Sequence, residues 1–187
     1  MNLGNSSTHW GPVSRALHWL IAALLIAMAY LGLSMTELPN GIDKLKTYAL
    51  HKSLGITVLA LVVLRLWWRW RAGATPQAPG SRWQRRAAQA THAALYVLML
   101  AVPLSGWAFN SAANFALRWF GWFNLPRLLP ADPALKAVFR EAHEWLFWML
   151  AALVLAHVAA ALKHHFVDRD KVLARMLWRS RQPHSEE

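Results

Sequence analysis

The sequence predicts an all-α integral membrane protein, a four-helix bundle of up-and-down topology with both termini on the cytoplasmic side. Three observations predict it. Of 187 residues 56% are hydrophobic and only 16% charged, whereas soluble domains run at about 45–50% and about 25%. The charges lie between long apolar runs, and Lys and Arg are distributed unequally between alternate connections. Residues 1–180 form one domain, with 181–187 a short polar tail. Cysteine is absent, which excludes disulfides, thiolate nucleophiles, iron–sulfur clusters and Cys-based zinc sites. Any redox or metal chemistry must therefore rest on the nine histidines, on carboxylates, or on a cofactor.

The first helix is placed at about 14–34. Ala16 to Leu33 offers 18 residues without a formal charge, near the ~20 that a membrane helix requires. Ala27-Met28-Ala29 is a small-x-small pattern of the kind a signal peptidase cuts. The apolar stretch nevertheless exceeds a signal core of about 7–15 residues and three further spans follow, so the helix is retained. The second helix, about 47–70, is less obvious because only 12 residues separate Lys52 from Arg65. Long basic side chains snorkel, which restores a full span from Thr47 to Trp70. The third, about 88–110, lies within the 31 uncharged residues between Arg86 and Arg118, and the fourth, about 140–164, includes the 18 between Glu144 and Lys163.

Connections follow from breakers: Pro39-Asn40-Gly41 in 34–46, and Pro76, Pro79 and Gly80 in 71–87. The third connection, about 110–139, holds Phe115, Leu117, Trp119, Phe120, Trp122, Phe123 and Leu125 before Pro126, Pro130 and Pro133. Such aromatics anchor a protein at the membrane interface; they can equally cap a buried site or line an access route for an apolar molecule.

The net charge of +11 does not mark a nucleic-acid binder, because no basic helix or nucleic-acid motif accompanies it. Arg15, the second connection with its helix end, and the tail after the fourth helix carry 13 Lys and Arg; the opposite side carries 7. The positive-inside rule then places both termini in the cytoplasm, beside anionic lipid.

Four histidines fall at two depths. His18 lies near the cytoplasmic end of the first helix and His51 near the opposite end of the second. His143 and His157 both lie in the fourth, 14 residues apart, which is about 21 Å of rise on faces within about 40° of each other. Antiparallel packing pairs His18 with His157 and His51 with His143. A single membrane histidine is commonly just hydrogen-bonded to a neighbouring helix; two depth-matched pairs ask for more. Zinc wants three or four protein ligands, and each pair offers two. A porphyrin iron brings its own four equatorial nitrogens, so two trans imidazoles complete it. Bis-histidine haem b, twice, fits best, held without thioether bonds because cysteine is absent.

Other residues are candidates around this pair of sites. Gly55, four residues after His51 on the same face, can admit a flat macrocycle, or can simply serve helix packing. Arg65 lies at the depth of the inner pair and can hold a haem propionate bidentately, or can be a topology residue. Lys44, Lys52 and Arg140 are looser candidates for outer propionates. His164, seven residues after His157 with Lys163 and His165 beside it, can hydrogen-bond a quinone carbonyl with protons arriving from the cytoplasm, or can be a solvated basic helix end. His92, at the start of the third helix, has no evident partner at matching depth and reads as a propionate or supporting hydrogen bond. His9 and His184 read as incidental.

Several short runs carry a resemblance. Ser14-Arg15-Ala16-Leu17-His18-Trp19 opens a membrane helix, His51-Lys52-Ser53-Leu54-Gly55 opens the second, and Arg65-Leu66-Trp67-Trp68-Arg69 closes it. His92 with Tyr96, Pro103 and Gly106 follow, then Glu141-Ala142-His143-Glu144 and His157. In this order they resemble the bacterial cytochrome b561 family over about residues 9–178. The resemblance implies an inner-membrane cytochrome b with two haem b groups and His18, His51, His143 and His157 as axial ligands. It also implies electron exchange with the quinone pool and, for some members, oxidation of superoxide at the periplasmic face with reduction of ubiquinone, making the chain a membrane haem oxidoreductase. The outer basic residues Lys44, Lys46, Lys52, Arg118, Arg127 and Arg140 would attract such an anion, although nearby acids leave only +2. Two other readings stay open at this point: an electron-relay subunit of a larger hydrogenase- or formate dehydrogenase-type complex, and a haem-free proton or metal transporter using the same histidines.

Overall fold

The computed structural model describes residues 4–6, 9–73, 75–76 and 79–177; His184 and the predicted 181–187 tail lie outside them. Four helices dominate: α1 (Pro12–Glu37), α2 (Ile42–Arg71), α3 (Arg82–Ala112) and α4 (Pro133–Phe166). Each is long and apolar enough to cross a membrane. The predicted four-helix membrane protein is therefore the fold.

Every helix contains its predicted span and overruns it, because local chemistry rather than the apolar stretch sets the ends. Pro12 begins α1 at a position where its missing N–H costs nothing, and Lys44 Nζ closes the other end on the carbonyls of Leu38, at 2.8 Å, and Thr36. Helix α3 starts at Arg82 instead of about 88 because Ser81 and Gln84 form a reciprocal capping box. Helix α4 starts at Pro133 instead of about 140 because Asp132 Oδ1 accepts the N–H groups of Ala134 and Leu135 and proline sets the first turn. The turns added to α3 are polar, and those added to α4 are cut off from its apolar stretch by Lys136, Arg140, Glu141 and Glu144, so apolar length alone does not announce them.

The third connection folds into something not foreseen, an antiparallel hairpin of β1 (Leu117–Trp119) and β2 (Phe123–Leu125), with Trp119 opposite Phe123. A short 3-10 turn, Ala174–Met176, follows α4. Arg15 Nη1 donates to the Leu177 carbonyl at 3.1 Å and Trp19 Nε1 to that of Met176 at 2.9 Å. Both described ends of the chain thus share one end of the bundle, as an even number of crossings requires.

The helices pack in sequence order, α1 on α2, α2 on α3 and α3 on α4, while neither α1 nor α2 packs extensively on α4. The buried centre is apolar. Ile21, Val58 and Val62 form one cluster with Leu24, Leu25, Met28 and Met99 around it, and Leu95, Leu98 and Leu150 form a second. Both lie midway along the helices. Large apolar side chains such as Ile26 and Leu155 point outward along the spans, which suits lipid as the surrounding medium.

Candidate functional site

Above and below the apolar centre stand two pairs of imidazoles. His18 on α1 faces His157 on α4 with ring centroids 6.4 Å apart and planes at 71°. His51 on α2 faces His143 on α4 at 6.3 Å and 84°. The two pairs span the helices that otherwise make little contact, so the depth matching predicted from spacing is realised in both cases.

The His51–His143 site is built by close backbone approach. A Cβ on Gly32 of α1 would lie 3.2 Å from His51 Cε1, and one on Gly106 of α3 would lie 3.0 Å from His143 Cε1. Glycine at these two positions lets the rings sit against the neighbouring helices. His143 Nδ1 donates to the Val102 carbonyl at 2.9 Å, with Ser105 Oγ 3.1 Å away. A carbonyl can only accept, so the proton is on Nδ1 and the Nε2 lone pair is free for a metal. Gly55, read as admitting a macrocycle or as serving helix packing, meets Met28 Cε, 3.5 Å from where its Cβ would be, an ordinary contact between α1 and α2. Sequence reading gave Gly106 no contact role and missed Gly32; the only available signal was their spacing from the helix ends.

Lys52 is engaged beside this site. Its Nζ donates to Asn110 Oδ1 at 3.2 Å and sits 5.9 Å from the Phe115 ring centre. Asn110 in turn donates to the Phe115 carbonyl at 2.9 Å. A cleft of about 160 Å³ opens between the hairpin and α3, lined by Trp107, Asn110, Phe115, Leu125 and Arg127 among others.

At the other pair the structure adds a residue. His92 lies 5.4 Å from His157, centroid to centroid, so it does have a neighbour at matching depth. The reason is the early start of α3, which puts His92 ten residues, about 15 Å, inside the helix. Arg65 Nε donates to Tyr96 Oη at 3.0 Å, and its guanidinium lies within electrostatic range of His18, His92 and His157. A small polar crevice lined by Ser14, Arg65, Trp68, Arg69 and Tyr96 opens beside it. Beyond it, His164 Nδ1 pairs with Asp170 Oδ2 at 2.6 Å and Asp168 Oδ2 at 3.3 Å, and Lys163 with Asp168 at 2.7 Å. His9 stays near the N-terminus, hydrogen-bonded to Ser6.

Comparison with known proteins decides what this arrangement belongs to. The sequence profile of prokaryotic cytochrome b561 matches residues 9–179. The chain belongs to the prokaryotic cytochrome b561 family. Among its relatives, cytochrome b561 homolog 2 of Escherichia coli K12 is 39% identical over 96% of this chain and 97% of its own length. Cytochrome b561 homolog 1 of the same organism is 32% identical over 86% and 92%. A protein of Yersinia pestis described as probable superoxide oxidase CybB is 27% identical over 88% and 93%.

Membership in the cytochrome b561 family makes this a multi-pass, haem b-binding membrane protein of electron transfer, and the residues fit that group. Two imidazoles that held one metal between them, with bonds of about 2.0 Å and about 1.1 Å from each nitrogen to its ring centre, would put the centroids about 6.2 Å apart. The separations of 6.3 and 6.4 Å fit this. The His92–His157 separation of 5.4 Å is shorter.

Proposed function

We propose that the protein holds two haem b groups, one between His18 and His157 and one between His51 and His143, and carries electrons across the bacterial inner membrane to or from the quinone pool. The observation that carries this reading is the equal centroid separation of the two pairs at the two ends of an apolar centre. Each haem, when bound, supplies one-electron iron chemistry whose potential the axial ligands and surroundings set.

The chain's residues do the rest. An imidazole held on each side of the metal would leave it no open site, so that exchange would be outer-sphere. Val102 fixes the His143 tautomer. Arg65, oriented by Tyr96, neutralises propionates of the His18–His157 haem, with His92 as a further hydrogen-bond partner there. The clusters around Ile21, Val62 and Leu98 keep water and protons from following the electrons. His164, with Nδ1 committed to Asp170, has Nε2 left to hydrogen-bond a quinone carbonyl. The 13-to-7 distribution of Lys and Arg supports cytoplasmic termini, which puts His164 on the cytoplasmic side and His51–His143 on the periplasmic side. Superoxide as donor draws support from the Yersinia relative's description and from Lys52 beside the outer pair; ubiquinone as acceptor rests on the family resemblance alone.

A reduced-minus-oxidised visible spectrum with haem quantified tests the core of this reading. Two haem b per chain are expected, and His157→Ala should remove the inner one while leaving the outer. One haem per chain, or equal loss from His92→Ala, would overturn the pairing. Rapid mixing with superoxide, against reduction by ubiquinol, then identifies the donor.

A further inference from the structure

We propose that the β1–β2 hairpin is not an extramembrane loop but a re-entrant element, immersed in the lipid leaflet opposite the chain termini and reaching the depth of the His51–His143 pair. The depth follows from where α2 holds it. Ser53 Oγ accepts the Phe120 N–H at 3.0 Å and lies 3.3 Å from the Arg118 carbonyl, and Trp119 Nε1 donates to Thr57 Oγ1 at 3.1 Å. Ser53 is two residues farther into α2 than His51, about 3 Å deeper, and Thr57 about 9 Å deeper. His51 itself abuts Gly32, five residues before α1 ends at Glu37, and its partner His143 abuts Gly106, six before α3 ends at Ala112. The hairpin tip therefore hangs about 10 Å below the rim formed by those helices.

Ser53 and Thr57 lie about one turn apart and about 160° and about 120° from His51 around α2. The hairpin thus covers the flank of α2 facing away from the histidines, where two hydroxyls would otherwise meet hydrocarbon. Two of its polar groups close within the turn, the kind of pairing that irregular backbone at membrane depth requires. The Trp122 N–H closes on the Trp119 carbonyl at 3.0 Å, and Arg118 Nη2 donates to the Gly121 carbonyl at 3.0 Å. Its outward face is aromatic: Phe120 is 42%, Phe123 53% and Trp122 76% exposed. All three rings pack against Trp119, and lipid is the occupant that depth selects. Arg118, exposed on β1, keeps its guanidinium on the Gly121 carbonyl, a backbone partner of the kind a charge at membrane depth takes.

The absence of cysteine makes the test direct. Single cysteines are introduced at Trp122→Cys and, in parallel, Phe123→Cys, spin-labelled, and read in the haem-loaded protein in phosphatidylethanolamine–phosphatidylglycerol vesicles. Collision with oxygen is compared with collision with a water-soluble nickel chelate. Val63→Cys on the exposed face of α2 gives the hydrocarbon reference and Ala131→Cys the aqueous one. Labels at 122 and 123 should match position 63, with the nickel collision several-fold below that at 131. Nickel access equal to position 131 would overturn the proposal and leave the aromatic face to a soluble partner. Using two positions means that loss of folding at one does not remove the test.

Discussion

Gly106 leaves His143 no room to move toward α3: a methyl group at 106 would stand 3.0 Å from the ring Cε1 and 3.2 Å from Nδ1. The same ring is bound one turn away on α3 by its hydrogen bond to the Val102 carbonyl, so it cannot swing away from that helix without giving up the contact. Gly106→Ala should therefore displace His143, at a cost of about 1–3 kcal/mol for overpacking, and selectively weaken the haem on the His51–His143 pair. Gly32→Ala, at 3.2 Å from His51, should do the same more mildly. Gly55→Ala, with only the mobile Met28 methyl at 3.5 Å, should be tolerated. Haem content per chain across the three variants checks the order.

That order was not readable from the chain alone. The apolar runs located the four spans, and the 14-residue separation of His143 and His157 located the pairs, because both depend on helical geometry that sequence spacing encodes directly. Which glycine faces which imidazole depends on how adjacent helices are rotated about their axes, and spacing does not encode that. Gly55 was singled out for sharing a face with His51, yet the ring lies against Gly32 on another helix. His92 was likewise misplaced, since its depth depends on a capping box at Ser81 and Gln84 that lies outside the apolar stretch. The hairpin was hidden for a third reason: its anchors are hydroxyls on α2, 62 to 67 residues away in sequence.

His92 offers the sharpest check on the inner site. At 5.4 Å from His157 it lies closer than two imidazoles holding one metal would, whereas His18 at 6.4 Å does not. His92→Ala should retain two haems per chain and alter only the midpoint potential of the inner one. His18→Ala should abolish that haem while the outer spectrum persists. Redox titration with haem quantification distinguishes the two, and the opposite pattern would exchange the roles of the residues.

Arg65 places a fixed positive charge beside the inner pair, and a positive charge favours the reduced, less positive iron. Arg65→Gln should lower the midpoint potential of the inner haem by tens of millivolts, the scale expected for one charge at this range in a partly buried setting, and leave the outer haem unmoved. Tyr96→Phe keeps the charge but removes the acceptor that orients it. It should produce a smaller shift of the same sign, with a stability loss of about 0.5–1.5 kcal/mol for the hydrogen bond. Potentiometric titration of both variants gives the comparison.

The tail after α4 should be insensitive to mild acid. Lys163 beside Asp168 holds its carboxyl below the usual value of 3.8, helped by His164. A carboxyl depressed in the folded state stabilises above its unfolded value and loses that contribution as pH falls through the lower folded one. The contact is solvent-exposed, so its effect is local: it fixes the turn through Asp168 and Asp170 that brings Met176 and Leu177 to Trp19 and Arg15. A spin label at Leu177→Cys should keep constant mobility from pH 7 down to about 4.5 and loosen only below the ordinary carboxylate range. Adding Asp168→Asn should mobilise the label already at pH 7 and abolish the acid step. If instead Asp168→Asn leaves the label's mobility unchanged at pH 7, the Lys163–Asp168 bridge contributes nothing to the latch.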